Sequence, residues 1–280
     1  MRIDLHTHSS ASDGTDAPAH LVAQAALAGL DVVALTDHDT TRGWAEAAVA
    51  SLELGVDLVR GAEISCRAAG VSVHLLSYLH DPESPGLLAE GERTREARLE
   101  RAREMVERLS VDFALTWADV EEQSEPGTTI GRPHLADALV ARGYVADRSA
   151  AFTSLLATGS PYYVPHYAPD AVRAVRLVRA AGGVPVMAHP AASVRGRVVP
   201  DSVIEEMAAA GLAGLEVHHR DHDDAQRAHM TELAHDLGLL ITGSSDYHGE
   251  GKPNRLGENT TAPEVLEVIE AQGLLAVVRR

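Results

Sequence analysis

Cysteine, lysine and aromatic residues are all scarce in this chain. Its single cysteine, Cys66, excludes an internal disulfide framework and any cysteine-clustered zinc or iron–sulfur site, in keeping with a reducing compartment. Aromatic residues make up 4% of the chain, which offers no obvious stacking platform for bases. No apolar run approaches the roughly 20 residues that cross a bilayer, and Met1-Arg2-Ile3-Asp4 lacks the charged-then-apolar order of a signal peptide. A cytoplasmic protein with no membrane partner is expected. Basic charge is also short: 24 Lys+Arg against 41 Asp+Glu give a formal net charge of −17, and Lys252 is the only lysine. That balance argues against binding of duplex DNA, because a phosphate backbone demands basic surface. It leaves room for a small anionic substrate, provided that bound cations offset some of the carboxylates.

Histidine, by contrast, is plentiful. There are 15 in 280 residues, and histidine is both the commonest metal ligand and the usual proton carrier near neutral pH. The hydrophobic pattern alternates short β-branched runs with amphipathic stretches. Strands are expected at Ile3 to Leu5, at 31–35 and near 57–65, 71–79, 184–188, 213–218 and 239–243. Helices are expected between them, near 18–30, 41–54, 170–181, 201–210, 223–237 and 263–272. About seven strands interleaved with helices imply a parallel sheet or a closed barrel. The alternation stops between about Asp81 and Pro165, where helical patterns dominate, so residues 1–80 and 166–280 are expected to form the barrel and 81–165 an inserted helical subdomain. Its first helix carries mixed charges, Glu100 with Arg103 and Glu104 with Arg108, over an apolar stripe of Leu99, Ala102, Val106 and Leu109. That reads as a solvated face over a packed one.

The histidines and carboxylates are not scattered. His6-Thr7-His8 closes the first strand, and the period of two lets both rings point to one side. Such a pair alone is as well explained by hydrogen bonding as by a metal. Here it is followed by Asp13, by His38 between Asp37 and Asp39 after the second strand, by Glu63 on the third, His74 on the fourth, His189 after the fifth, and Asp246 and His248 after the last. In a parallel α/β barrel the strand C-termini converge on one mouth, where sites are built. The donor set is nitrogen and oxygen without sulfur, which suits Zn²⁺, Mn²⁺ or Fe²⁺, and it exceeds what one ion can use, so a multinuclear site is expected.

In chain order the motifs are His6-Thr7-His8, Asp13-Gly14, Thr36-Asp37-His38-Asp39, Gly61-Ala62-Glu63, Val73-His74-Leu75-Leu76, Gly131-Arg132-Pro133-His134, Ala188-His189-Pro190 and Ser245-Asp246-Tyr247-His248-Gly249. This combination resembles the PHP (polymerase and histidinol phosphatase) superfamily of metal-dependent phosphoesterases over nearly the whole chain. Within it, the insert with its Gly-Arg-Pro-His motif resembles the branch of 3′,5′-nucleoside bisphosphate phosphatases that also degrade short RNA from its 5′ end. The resemblance implies a distorted seven-stranded (β/α) barrel with three divalent metals. It implies that His6, His8, Glu63 and Asp246 hold the first, that Glu63 bridges to a second completed by His74 and His134, and that Asp13, His38 and His248 hold the third. Where many superfamily members carry histidine, this chain has Asp13, and the phosphatase branch that it resembles likewise has aspartate there. His189 resembles a residue that contacts substrate.

Two cations about 3.5–4 Å apart would make hydroxide available at neutral pH and offset charge on the attacking and leaving oxygens. Glu63, Arg132 and His189 are the catalytic candidates. Arg132 suits bidentate contact with phosphate, and His189 either protonates the leaving oxygen or binds phosphate. Lys252 and Arg255, in the glycine-rich turn after the last ligand, are candidates for a second phosphate or are incidental to a turn. His222, in the His218-His219 to His222 cluster, either supports the site from behind its ligands, faces substrate, or is solvated. His20, His80, His166, His229 and His235 read as surface or helix-face residues, and Cys66 as a small packed hydrophobe. The expected function is hydrolysis of phosphate monoesters of small nucleotides, foremost the 3′-phosphate of nucleoside 3′,5′-bisphosphates, by metal-activated hydroxide. The alternatives are a 5′→3′ exoribonuclease on short oligonucleotides, a histidinol-phosphate phosphatase and, from another class, a non-catalytic metal-binding module of the kind that accompanies polymerases. No obligate protein partner is implied.

Overall fold

A computed structural model describes residues 1–279. Seven strands form one sheet in the order in which they occur: β1 (Ile3–Asp4), β2 (Val32–Leu35), β3 (Asp57–Ala68), β4 (Val71–Tyr78), β5 (Val184–Met187), β6 (Gly214–His218) and β7 (Leu240–Gly243). The helices between them are α1 (Pro18–Leu27), α2 (Trp44–Leu54), α3 (Pro85–Leu109), α4 (Trp117–Glu121), α5 (Arg132–Ala141), α6 (Arg148–Thr153), α7 (Ala171–Ala180), α8 (Asp201–Ala209), α9 (Asp224–Asp236) and α10 (Pro263–Gln272). The sheet curls into a nearly closed α/β barrel. Strands β1 and β7 do not pair along their length. Their seam is spanned by the Thr7–Tyr247 bridge and by the buried Asp4 carboxylate, which accepts from the backbone N–H groups of Ser245 (3.0 Å) and Gly257 (2.8 Å).

The period of two sorts the strand residues into layers. Ile3, Leu5, Val32, Ala34, Val59, Leu76, Tyr78, Val184 and Val186 pack with one another and with α10, whereas the alternate residues Val33, Leu35 and Leu58 pack against α1 and α2. A third cluster joins Cys66, Val73, Leu75, Leu215 and Val217 to α7, α8 and α9. Strands β2 and β5 are buried at every position, as expected where one face of a strand lines the barrel interior and helices cover the other.

One strand departs from the parallel expectation. β4 runs antiparallel to both β3 and β5. The cause is local: only Ala69 and Gly70 separate β3 from β4, with φ of 48° and 73°, and a two-residue loop with both residues left-handed folds the chain back on itself. A parallel return needs a crossover of a dozen residues or more, which this connection does not have. The reversal also changes how β4 feeds the site. His74 reaches the mouth from the first half of its strand, opposite Ser65, and not from a C-terminal end.

Between β4 and α7, helices α3 to α6 pack around their own core of Met105, Val106, Leu109, Leu115, Leu135, Leu139 and Leu156. The expectation that the charges of α3 are solvated fails at three positions, Glu90, Arg98 and Arg101. Arg98 and Arg101 are buried together with Ala102, Met105 and Val106, so this helix turns two guanidiniums inward. No helix among the described residues is long and apolar enough to cross a membrane.

Candidate metal centre

β1 delivers His6 and His8 to the mouth, with the Asp13 loop beside them. His6 Nε2 and His8 Nε2 lie 3.0 Å apart, and each is within 3.3 Å of Glu63 Oε2, at 3.3 and 3.1 Å. Asp246 Oδ1 stands 3.5 Å from both rings. His38 Nδ1 approaches the same Glu63 oxygen at 3.2 Å, while the other oxygen of Glu63 meets His74 Nδ1 at 2.9 Å and His189 Nε2 at 3.1 Å. On the far side Asp13 faces His248 Nε2 (3.3 Å), His8 Nδ1 (3.6 Å) and His38 Nε2 (3.7 Å).

Three groups of donors follow: His6 with His8 and Glu63; His38 with Glu63 and His74; and His8 with Asp13, His38 and His248. Within them His38 Nδ1, His74 Nδ1 and His248 Nε2 are buried without a hydrogen bond, although carboxylate oxygens lie about 3 Å away. The atoms are close but not aligned on one another, as lone pairs are when they converge on a point between them. A divalent cation satisfies such atoms, and the all-nitrogen-and-oxygen set fits it.

Electrostatics agree with that fit at the carboxylates and at His38 and His248, whereas the His6 and His8 rings, against the opposing effect of burial, are raised by the carboxylates around them, His8 to about 9, a positive charge that a bound cation would replace. Burial opposes charge on Glu63, but His38, His74 and His6 hold its carboxyl well below the usual range. Asp13 and Asp246 are lowered in the same way, Asp246 chiefly by Lys252 and Arg195. Burial pushes the His248 ring down to about 4 and the His38 ring well below its ordinary value. Ionised carboxylates and neutral imidazoles are the forms that ligate metal.

The support around these donors comes partly from residues outside the sequence motifs. Glu216, buried on β6, accepts from His6 Nδ1 (2.9 Å) and from the backbone N–H of His189 (2.7 Å), and is bonded by the Ser244 hydroxyl. That leaves Nε2 of His6 facing the other donors. Its signal in the sequence is a lone carboxylate within the apolar run Leu215-Glu216-Val217, overshadowed by the histidines after it. Arg195, from the loop after β5, donates to Asp246 Oδ2 (2.7 Å) and to Asp221 (2.6 Å). Asp37 accepts from Ser9 and Ser12 and fixes the loop that carries Asp13. Asp39 binds Ser65 and Arg98. Asp39, His189 and Asp246 all have positive φ, a strain that tight loops at sites sustain.

Several sequence expectations need adjustment. His134 is buried at the start of α5, where its Nδ1 accepts from the Gly131 N–H (3.1 Å), and it stands outside the three groups; His189 takes the place beside His74 on Glu63 Oε1. For His222 the supporting role is the one that the geometry fits. It is neither substrate-facing nor solvated, because Nδ1 is bonded to the Val217 carbonyl (2.9 Å) and Nε2 accepts from the Ala191 N–H (3.1 Å), so the ring ties two loops together. Arg132 does not touch the donor groups. Its guanidinium donates to the Leu156 carbonyl (3.2 Å) and lies over the rings of Phe152 and Tyr163. Lys252 does reach the site, with Nζ 3.0 Å from Asp246 Oδ2. His166 is not a surface residue either: its Nδ1 meets Arg101 at 3.1 Å, and its carbonyl accepts from Arg67 at 3.3 Å.

Residues 4–114 match the model of the PHP domain. A 3′,5′-nucleoside bisphosphate phosphatase of Chromobacterium violaceum is 36% identical over 277 residues, spanning 95% of this chain and 94% of that protein. The chain belongs to the PHP family. It is a metal-dependent hydrolase of phosphoric esters. Another PHP relative, a 5′-3′ exoribonuclease of Haemophilus influenzae, is 31% identical across 92% of this chain and 94% of its own. A solved PHP structure from Bifidobacterium adolescentis, described as a metal-dependent phosphoesterase, superposes with a TM-score of 0.95 at 46% identity, covering 97% of this chain and 96% of that one.

Proposed function

We propose that this PHP enzyme removes the 3′-phosphate of nucleoside 3′,5′-bisphosphates, and that His6, His8, Asp13, His38, Glu63, His74, Asp246 and His248 hold its metals, with His189 and His134 facing the same mouth. Cations there supply Lewis acidity, lowering the pKa of water and offsetting charge on the phosphoryl oxygens. The protein's own part is to fix the donors. Glu63 draws His38, His74 and His189 onto one carboxylate, Glu216 sets the tautomer of His6, and Lys252 and Arg195 hold one oxygen of Asp246 so that the other faces the imidazoles.

The observation that carries the substrate is a second cationic centre in the adjoining helices. Arg98, Arg101 and Arg132 gather with Arg67 around His166, whose ring they and its burial hold far below its ordinary pKa. Arg98 alone of the three helical arginines meets a carboxylate, Asp39. Arg101 has only the neutral ring of His166, and Arg132 a carbonyl. Burial brings Arg101 down to about 9, and the Nε atoms of Arg98 and Arg101 have no partner. A monophosphate has no use for such a centre, whereas a bisphosphate places its second dianion there, where the guanidinium fork suits phosphate. Arg98 links the two centres, because its guanidinium binds Asp39, next to His38, and packs on Gly131, before Arg132 and His134.

Phosphate release with Mn²⁺ and then Zn²⁺ from adenosine 3′,5′-bisphosphate, a 5′-phosphorylated dinucleotide and histidinol phosphate tests this reading. Fastest release from the bisphosphate, with AMP as product and loss of turnover in Glu63→Gln, is expected. Preference for the dinucleotide moves the assignment to the short-RNA exonuclease reading that the Haemophilus relative supports, and preference for histidinol phosphate overturns both. In the same assay His189→Asn separates its two roles. A proton donor loses most on esters with poor leaving groups, and a phosphate binder loses equally on all.

A further inference from the structure

Arg148, at the start of α6, lies where three pieces of chain meet. Its Nε and one Nη grip both oxygens of Asp137 on α5 at 2.5 Å, and its other Nη donates to the main-chain carbonyl of Asp13 at 3.0 Å. The guanidinium also lies flat on the turn after His248, where a Cβ at Gly251 would collide with it. That turn is tied back to the same loop, since the His248 carbonyl accepts from the Thr15 and Gly251 N–H groups. The side chains of Arg148 and Asp137 are largely buried. One guanidinium from the helical insert thus braces the loop of Asp13 and the turn of His248, and these two residues supply half of the group formed by His8, Asp13, His38 and His248.

We propose that Arg148 is a positioning residue through which the helical insert sets the affinity of this one metal site, with Asp137 as its anchor. The inference rests on the metal assignment above. A guanidinium does this where an ammonium does not, because only a planar fork with five donors can hold a carboxylate in two-point contact and still reach a carbonyl with its remaining arm. The insert is then part of the metal centre without contributing a ligand at that point. The coupling is selective: in the group of His6, His8 and Glu63, His6 is supported by Glu216, and the hydrogen bonds of Arg148 go to Asp137 and the Asp13 carbonyl and to none of these three.

Titration of chelator-stripped protein with Mn²⁺, by calorimetry and by counting bound ions, tests the proposal. Arg148→Ala is expected to bind at one site about 10- to 100-fold more weakly, the size of effect typical when a partner of a metal ligand is removed. The weakened site is the one that Asp13→Ala abolishes, and Arg148→Lys falls between alanine and wild type. A purely structural arginine would instead lower the melting temperature of the stripped protein and weaken every site alike. That result, or unchanged affinity at all sites, overturns the proposal. If Arg148→Ala does not fold, Asp137→Asn, which keeps the volume but weakens the grip, decides by the same measurement. Failure of the phosphatase reading is separable, since a chain that releases no phosphate still reports its Mn²⁺ affinities.

Discussion

Glu216 makes no contact expected of a motif residue, yet His6, His189 and Ser244 all converge on it. Its carboxyl is held far below the usual range, against the opposing effect of burial, mainly by the His6 ring. Glu216→Gln keeps the shape and removes the charge that makes His6 a strong donor. Its Mn²⁺ affinity is expected to fall about 10- to 100-fold, read by titration of stripped protein. His80 makes a different prediction. It is buried against Trp44 with Nδ1 bonded to the Ser77 hydroxyl (2.8 Å), and burial lowers its pKa from 6.5 to about 4. The unfolded chain therefore takes up the proton first, so stability falls as pH drops from 6.5 toward 4 and gains nothing above that window. The shift corresponds to about 3 kcal/mol, from ~1.4 kcal/mol per pKa unit. The difference in unfolding free energy between wild type and His80→Gln should shrink with that slope between pH 7 and 4.5, and a pH-independent difference would show that the ring is not buried neutral. The donors His6, His8 and Asp246 were legible because motif spacing and strand ends coincide, and Glu63 by its motif alone, since β3 runs on past it to Ala68. Glu216 and Arg195 were not, because each acts on a ligand from a distant element and only the fold brings them together.

At the scale of elements, strand and helix positions were readable from periodicity, with ends displaced by one to three residues. The hairpin was not, because the alternation of strand and helix over the rest of the chain implies parallel neighbours, while the short Ala69-Gly70 connection allows only an antiparallel return. Helix α3 shows the same limit. Its charge pattern predicts salt bridges, and Arg108 does pair with Glu104 at 2.6 Å, but nothing in that pattern distinguishes these residues from Arg98 and Arg101, which turn inward. The loop after β1 depends on glycine at one point. A Cβ on Gly14 would strike the main-chain carbonyl of His8 and the nitrogen of Ser9, groups that cannot move without shifting His8 and Asp13 together. Gly14→Ala is thus expected to weaken Mn²⁺ binding at the site shared by those two residues, and to lower the melting temperature of the loaded enzyme more than that of the stripped one. Equal losses in both forms would place the effect in the fold alone.

For the molecule as a whole, the formal charge of −17 overstates the repulsion in the working enzyme, because Glu63, Asp13 and Asp246 stand together at the mouth. Metal present at 100 times its dissociation constant stabilises the folded chain by about 2.7 kcal/mol per site. At roughly 2–4 °C per kcal/mol for a chain somewhat smaller than this one, chelation should lower the melting temperature by several degrees per ion lost, and calorimetry with and without EDTA checks it. The composition left room for cations to offset part of this charge, but it held no sign of the arginine centre, which depends on where the inserted helices dock.

The seam between β1 and β7 also bears on synthesis of the chain. The groups of His6, His8 and Glu63 and of His38, Glu63 and His74 are drawn from β1 to β4, whereas Asp246 and His248 follow β7 and leave the ribosome long afterwards, and the buried Asp4 carboxylate waits for the N–H groups of Ser245 and Gly257. The centre is therefore complete only when β7 has been made. The group of His8, Asp13, His38 and His248 is in this way withheld from shorter nascent chains by topology.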